Sequence, residues 1–172
     1  MFLNYIKNFL IKKTLKNSLQ NLKNDLSNNA VKTIGLVVDA TRFGETELLI
    51  KELIANGIAP GDITTILYSH TFKKTAEKTY PIFNLGNIKW NGEFLSAEIN
   101  DFVNEKFDLL ISYYDIETAI LLQITYNSKA DFKVGFSSID NRLNHFMIKT
   151  DVNSYRIFAS ELFKYLKLLN KI

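Results

Sequence analysis

Apolar positions along the chain change period several times, and each change predicts an element. Residues 2–26 contain no Gly or Pro, and Ile11, Leu15, Leu19, Leu22 and Leu26 recur at steps of 4, 4, 3 and 4. At ~100° per residue these five fall within a stripe of roughly 80°, the signature of a helix that docks along one face. Residues 33–39 (TIGLVVD) form a nearly continuous apolar run, as expected for a strand covered on both faces. Residues 45–56 return to helical spacing. Gly57 then stands where a left-handed helix end belongs, and Pro60-Gly61-Asp62 is turn chemistry before a second strand at 63–68. A strand–helix–strand unit of this length predicts a parallel pair with a right-handed crossover.

The same alternation continues to the C-terminus. Residues 80–85 and 87–90 read as short strand pieces or irregular edge structure. Ser96 caps a helix running to about residue 106, and 107–113 (FDLLISY) is the next buried strand. Asp115 is expected to cap a helix through residue 127, with Glu117 in its first turn where the helix dipole favours an acid. Strands follow at 132–136 and 145–149. Asp151 or Asn153 is expected to cap a final helix, with Ile157, Phe158, Leu162, Tyr165, Leu166 and Leu169 on its apolar face. Strands alternating with helices predict a three-layer, Rossmann-like α/β sandwich with a mainly parallel sheet. The expected organisation is an N-terminal basic amphipathic helix over 1–28 and an α/β domain over 29–172.

The N-terminal segment carries a second apolar stripe. Phe2, Leu3, Tyr5, Ile6, Phe9 and Leu10 lie nearly opposite the first, and one straight helix cannot bury both on one flat surface. Either the helix bends near residues 10–12, or residues 1–10 touch something other than this domain. Residues 1–24 hold five lysines and no acid, whereas the other 16 cations and 18 anions of the chain leave the remainder at −2. The positive charge is therefore a property of the arm, which argues against a domain-wide nucleic-acid surface. Phe2, Tyr5 and Phe9, with Lys12 and Lys13, are the candidate contacts for a protein partner or for self-association. No run of about 18 apolar residues exists, so no transmembrane segment is expected, and no signal-peptide pattern is present. The expected compartment is the cytoplasm.

Composition removes several chemistries. The chain of 172 residues has no cysteine and two histidines, His70 and His145. A disulfide scaffold, a zinc ribbon, an iron–sulfur cluster and a thiol nucleophile are excluded, and no cofactor or metal is expected. In open parallel sheets, ligands bind beyond the carboxyl ends of the strands. That rule selects Asp39, Thr41 and Arg42 after the first strand, His70 after the second, Ser112 and Asp115 at the FDLLISY strand, and Ser137 and Asp140 after the next. The DATRFGE turn has one glycine and is neither a dinucleotide turn nor a phosphate loop. Glu45 and Glu47 would repel a phosphate at the helix start. Asp39 is read first as the cap of its own turn, although with Asp115 it would make a carboxylate pair suited to Mg²⁺. His70 is the best acid/base candidate and by default a loop histidine. Lys73, Lys74 and Lys78 form a second basic cluster.

Four segments, IKWNGEF (88–94), INDFVNEKFDLLISYY (99–114), NSKADFKVGF (127–136) and HFMIKTDVNSYRIFASELFKYLKLL (145–169), resemble an uncharacterised family of short bacterial proteins in which a lysine-rich helix precedes an α/β domain. The resemblance implies that architecture and transfers no catalytic residue. A weaker likeness, in the FDLLI and KADFKVGF segments, is to the N-terminal half of heptosyltransferase-type glycosyltransferases. It implies a Rossmann-like sheet; in those enzymes the nucleotide-sugar is held largely by a second domain that this sequence lacks. The sequence thus leads to a non-catalytic interaction or adaptor module as the expected function. A nucleotide- or sugar-phosphate-binding protein using the strand-end crevice is the alternative, and an RNA- or ribosome-associated protein the second alternative.

Overall fold

A computed structural model describes residues 2–19, 29–70 and 79–172. The predicted cluster Lys73, Lys74 and Lys78, and the positions Leu22 and Leu26, lie outside the described residues. In chain order the elements are α1 (Phe2–Ser18), β1 (Ile34–Asp39), α2 (Thr46–Ala55), β2 (Ile63–Tyr68), β3 (Ile82–Phe83), α3 (Ala97–Asn104), β4 (Leu109–Tyr113), α4 (Ala119–Asn127), β5 (Phe132–Phe136), β6 (Phe146–Ile148) and α5 (Tyr155–Leu168).

The six strands form one sheet in the order β3-β2-β1-β4-β5-β6, and every pairing between them is parallel. This is the doubly wound order, with the direction of winding reversing between β1 and β4. All residues of β1 and β4 are buried, which accounts for their nearly continuous apolar runs. Helices α2 and α5 pack together, as do α3 and α4. The sheet lies between these two helical layers, since a right-handed crossover moving left from β1 and one moving right from β4 fall on opposite faces. Gly35, the second residue of β1, lets this packing close up: a Cβ there would sit 2.6 Å from the Phe107 ring. Gly57 ends α2 at φ +102°, as its position in the sequence predicts.

Helix α4 explains the place of α1. Ala119, Ile120, Leu121, Leu122, Ile124 and Thr125 are all buried, so this helix is apolar around most of its circumference. The sheet covers one side, and a second cover is required on the other. That cover is α1, which packs on α4; Ile11 and Leu15 of α1, and Leu19 just beyond it, are each no more than 3% exposed. The α1 contacts then step across the strand ends. Lys7 Nζ donates to Leu85 O after β3, Lys12 Nζ to Glu117 O after β4, and Arg142 after β5 donates to Lys16 O. Nine residues of helix advance about 13 Å, and side-chain reach supplies the remainder of the roughly 19 Å between four strand spacings.

Several local expectations are corrected. Asp115 does not cap α4; the helix begins at Ala119, four residues later, and Glu117 precedes it. The Ala119 N–H is instead capped from another element, by Asn8 Oδ1 of α1 at 2.7 Å. Neither Asp151 nor Asn153 is the N-cap of α5. Ser154 holds that position, and the Asp151 carboxylate closes a turn on the Asn153 N–H just before it. On α5 the buried face is Tyr155, Phe158, Ala159, Leu162, Phe163 and Leu166. Ile157 and Leu169 are about half exposed, because the buried stripe is rotated one position from the one chosen by hydrophobicity alone. Ser96 does cap α3, its Oγ accepting the Ile99 N–H.

Candidate functional site

Five of the candidates meet where the winding reverses. Asp39 ends β1 with only 3% of its surface exposed. The chain folds back on it: Asp39 O accepts the N–H groups of Arg42 and Phe43, and Oδ1 accepts that of Thr41 at 2.9 Å. Asp39 is therefore a turn cap. Burial nevertheless pushes its carboxyl above the ordinary value, against the opposing pull of the Thr41 hydrogen bonds, His70 and Arg42. From β2, Tyr68 is fully buried, and its hydroxyl lies 3.0 Å from His70 Nδ1. Burial, and then the Asp39 charge, push the Tyr68 hydroxyl up to about 12, so Tyr68 is a neutral hydrogen-bonding phenol near pH 7. The His70 N–H donates to Thr41 Oγ1, tying the β2 end to the β1 turn.

Arg42 reaches across the switch point to Asp115 at the end of β4. Nε donates to Oδ1 at 2.8 Å and Nη2 to Oδ2 at 3.1 Å, a fork that both partners fill. Hydrogen bonding to Asp115 holds the guanidinium above its usual value. Next to Arg42 in the chain, Phe43 is 1% exposed and packs on Tyr113 at 4.7 Å and Tyr155 at 6.2 Å. Tyr113 in turn meets Phe136 and Phe158 and donates its hydroxyl to Val152 O. Phe43 and Tyr113, neighbours in sequence of Arg42 and of the Asp115 loop, thus belong to one buried aromatic cluster. The carboxylates Asp39 and Asp115 carry different partners, and no group of three or more metal-ligating side chains exists among the described residues.

The other three candidates lie elsewhere. Ser112 is 1% exposed and its Oγ is 2.9 Å from Thr125 Oγ1, under α4. Strand alternation turns it away from Tyr113 and the crevice. Ser137 is exposed on the loop after β5, where its N–H donates to Ile148 O. Its neighbour Ser138, on the same strand-end loop, donates its hydroxyl to Asp115 O. Asp140 belongs to the α1 side: its carboxylate takes both Nε and Nη2 of Arg142, and its N–H donates to Glu117 Oε1.

Glu117 is the centre of that second cluster. Its Oε2 lies 3.0 Å from Lys16 Nζ and 3.8 Å from Lys12 Nζ. Burial lowers the Lys12 ammonium from its ordinary value, more than the Glu117 charge raises it. Beside these groups Tyr5, Phe9, Lys12, Lys13 and Lys16 line an open cleft of about 420 Å³ with Glu117 at its wall. Along the outward side of α1, Leu3 is 67%, Tyr5 71%, Phe9 57% and Leu10 43% exposed. The helix runs unbroken from Phe2 to Ser18, and of its second stripe Leu3, Tyr5, Phe9 and Leu10 are left in solvent while Ile6 is half-buried. Phe2 belongs to α1, and its side chain lies outside the described set.

Sequence reasoning missed Asn8, Phe43 and Tyr68. It also missed the role of Lys133, whose Nζ donates to Thr125 O and Tyr126 O at the end of α4. Burial lowers the Lys133 ammonium to about 8. His145 is not a strand residue; it precedes β6, stacks on Phe132 and accepts the Lys133 N–H at Nδ1.

Fold and site together define a doubly wound, all-parallel α/β protein whose switch point is bridged by an internal ion pair and whose N-terminal helix is docked over α4. Within that class the chain belongs to a family of unknown function, DUF6913, which it matches over residues 7–169. No curated protein and no solved structure matches it. These comparisons do not show the glycosyltransferase likeness. Among the described residues no helix is long and apolar enough to cross a membrane.

Proposed function

We propose that this protein is a non-catalytic cytoplasmic interaction module that meets a protein partner through the outward side of α1. The supporting observation is the contrast between the two sides of one helix. Ile11, Leu15 and Leu19 are buried, and Lys7, Asn8, Lys12 and Lys16 fasten the helix to the loops beyond the strands, yet Leu3, Tyr5, Phe9 and Leu10 remain in solvent. A helix pinned in this way presents its outer apolar side chains in a fixed array, which lowers the ordering cost of binding. Contiguous exposed apolar residues with a polar rim are the ordinary mark of a contact surface.

The test is a tagged, full-length Tyr5→Ser/Phe9→Ser protein expressed in its own host. The expected result is an unchanged melting temperature and the loss of a protein that co-purifies with the unsubstituted chain. Loss of folding, or undiminished recovery of that protein, contradicts the reading. Recovery that is abolished by RNase and falls steeply with salt favours the RNA-associated alternative instead.

A second reading is favoured by the convergence of Asp39, Arg42, His70 and Asp115 at the switch point. Here the protein binds a nucleotide or sugar-phosphate after Arg42 releases Asp115. Such a ligand stabilises the fold by about 2.7 kcal/mol at a hundredfold excess over Kd, readable as a thermal shift. Against it stand Glu45 and Glu47 at the start of α2, where a phosphate would otherwise sit.

A further inference from the structure

Given the interaction reading, the flank of α1 beside Glu117 specifies the chemistry of the segment that fits. We infer that the partner docks an acidic segment bearing an apolar side chain, the apolar group between Tyr5 and Phe9 and the carboxylates against Lys12, Lys13 and Lys16. At ~100° per residue, Tyr5, Phe9, Lys12 and Lys16 fall within an arc of about 60°, with Lys13 at its edge. The arc is sorted along the axis: aromatic rings occupy the first two turns and ammonium groups the next two, with about 10 Å of helix between Phe9 and Lys16. These side chains border the cleft of about 420 Å³.

Charge complementarity selects the sign. Three lysines face one carboxylate, Glu117, so the cleft carries a net charge of +2. Glu117 is held by the Asp140 N–H as well as by Lys16 and stays in the wall. Lys12 is already partly desolvated, and an added carboxylate compensates a cost the fold has incurred. A second copy of this chain is disfavoured as the occupant in an α1-to-α1 arrangement. The first 24 residues hold five lysines and no acid, so two such helices bring like charge together. An acidic segment meets attraction at the lysines and apolar contact at the rings, and it binds with a marked salt dependence.

The test uses ¹⁵N-labelled full-length protein and three synthetic peptides of about 14 residues, four helical turns. One carries Asp and Glu with Leu and Phe on one face, one has Lys in place of the acids, and one has Ala in place of Leu and Phe. Vesicles of phosphatidylcholine and phosphatidylglycerol form a fourth arm. The expected result is that the acidic apolar peptide alone shifts α1 amides over residues 5–16. Its affinity should fall about tenfold, or ~1.4 kcal/mol, in Phe9→Ser and in Lys13→Glu, and should persist in Lys13→Arg. Lys13 is exposed and makes no hydrogen bond or ion pair among the described residues, so Lys13→Glu is expected to fold. Equal binding of the basic peptide, shifts confined to the strand-end crevice, or binding to vesicles but to no peptide overturns the inference. If the Tyr5→Ser/Phe9→Ser protein loses its co-purifying partner while no acidic peptide binds, the inference alone falls and the interaction reading stands.

Discussion

Asp115 and Glu117 are two residues apart in one loop, yet they serve different surfaces. Asp115 turns towards the switch point and closes on Arg42, whose chain neighbour Phe43 packs on Tyr113. Glu117 turns towards α1 and collects Lys12, Lys16 and the Asp140 N–H. The first surface is where an open parallel sheet ordinarily receives a ligand. Among the described residues its polar groups are matched to one another, and Phe43 and Tyr113 nearby are buried ring against ring. The second is formed by an added helix and keeps large apolar and cationic groups in solvent. Fold topology alone points to the first surface; the state of the side chains points to the second.

Substitutions can break or sharpen this contrast. The largest effect is expected in the aromatic cluster. Phe43→Ala should destabilise by about 3–5 kcal/mol in urea unfolding, and Leu15→Ala, under α1, by about 2–5 kcal/mol. A small Phe43 effect would mean that this cluster yields and can open to a ligand.

Lys133 tests the far end of α4, the platform on which α1 rests. Its ammonium is held near 8 against an ordinary 10.5. Between those values the unfolded chain binds more protons, so stability contributed by this group rises with pH. Relative to Lys133→Met, the unsubstituted protein should gain up to about 1.4 kcal/mol per pH unit from pH ~8 upwards. Parallel stability curves for the two proteins would contradict the burial of this lysine.

Asn8→Ala removes the cap on the Ala119 N–H and should cost about 1 kcal/mol. An effect near zero would show that α4 does not depend on α1 for its first turn. The smallest change is expected on the outer side, where Phe9→Ser should stay within about 0.5 kcal/mol of the unsubstituted protein.

Much of this architecture was legible in the sequence. The strands at 63–68 and 132–136 fall where periodicity places them, because a buried parallel strand is an apolar run bounded by turn residues. The sheet is wholly parallel where a mainly parallel one was expected. The docked stripe Ile11–Leu15–Leu19 was legible for the same reason: a 3.6-residue period carries its own geometry. What escaped was long-range polar pairing. Asn8 lies 111 residues from the N–H that it caps, and Arg42 lies 73 from Asp115. No local pattern encodes such partners. Ser112 was grouped with the crevice because of its place in the sequence, whereas strand alternation sends it under α4. The all-round apolarity of ILLQIT in α4 was the one available sign that a second helix must cover it.

The most direct measurement compares the two surfaces within one experiment. A photo-crosslinking amino acid is placed at position 9 in one full-length protein and at position 42 in another, and each is irradiated in the living host. The expected result is a discrete covalent adduct from position 9 and none from position 42. An adduct from position 42 alone would contradict the account and move the function to the switch point.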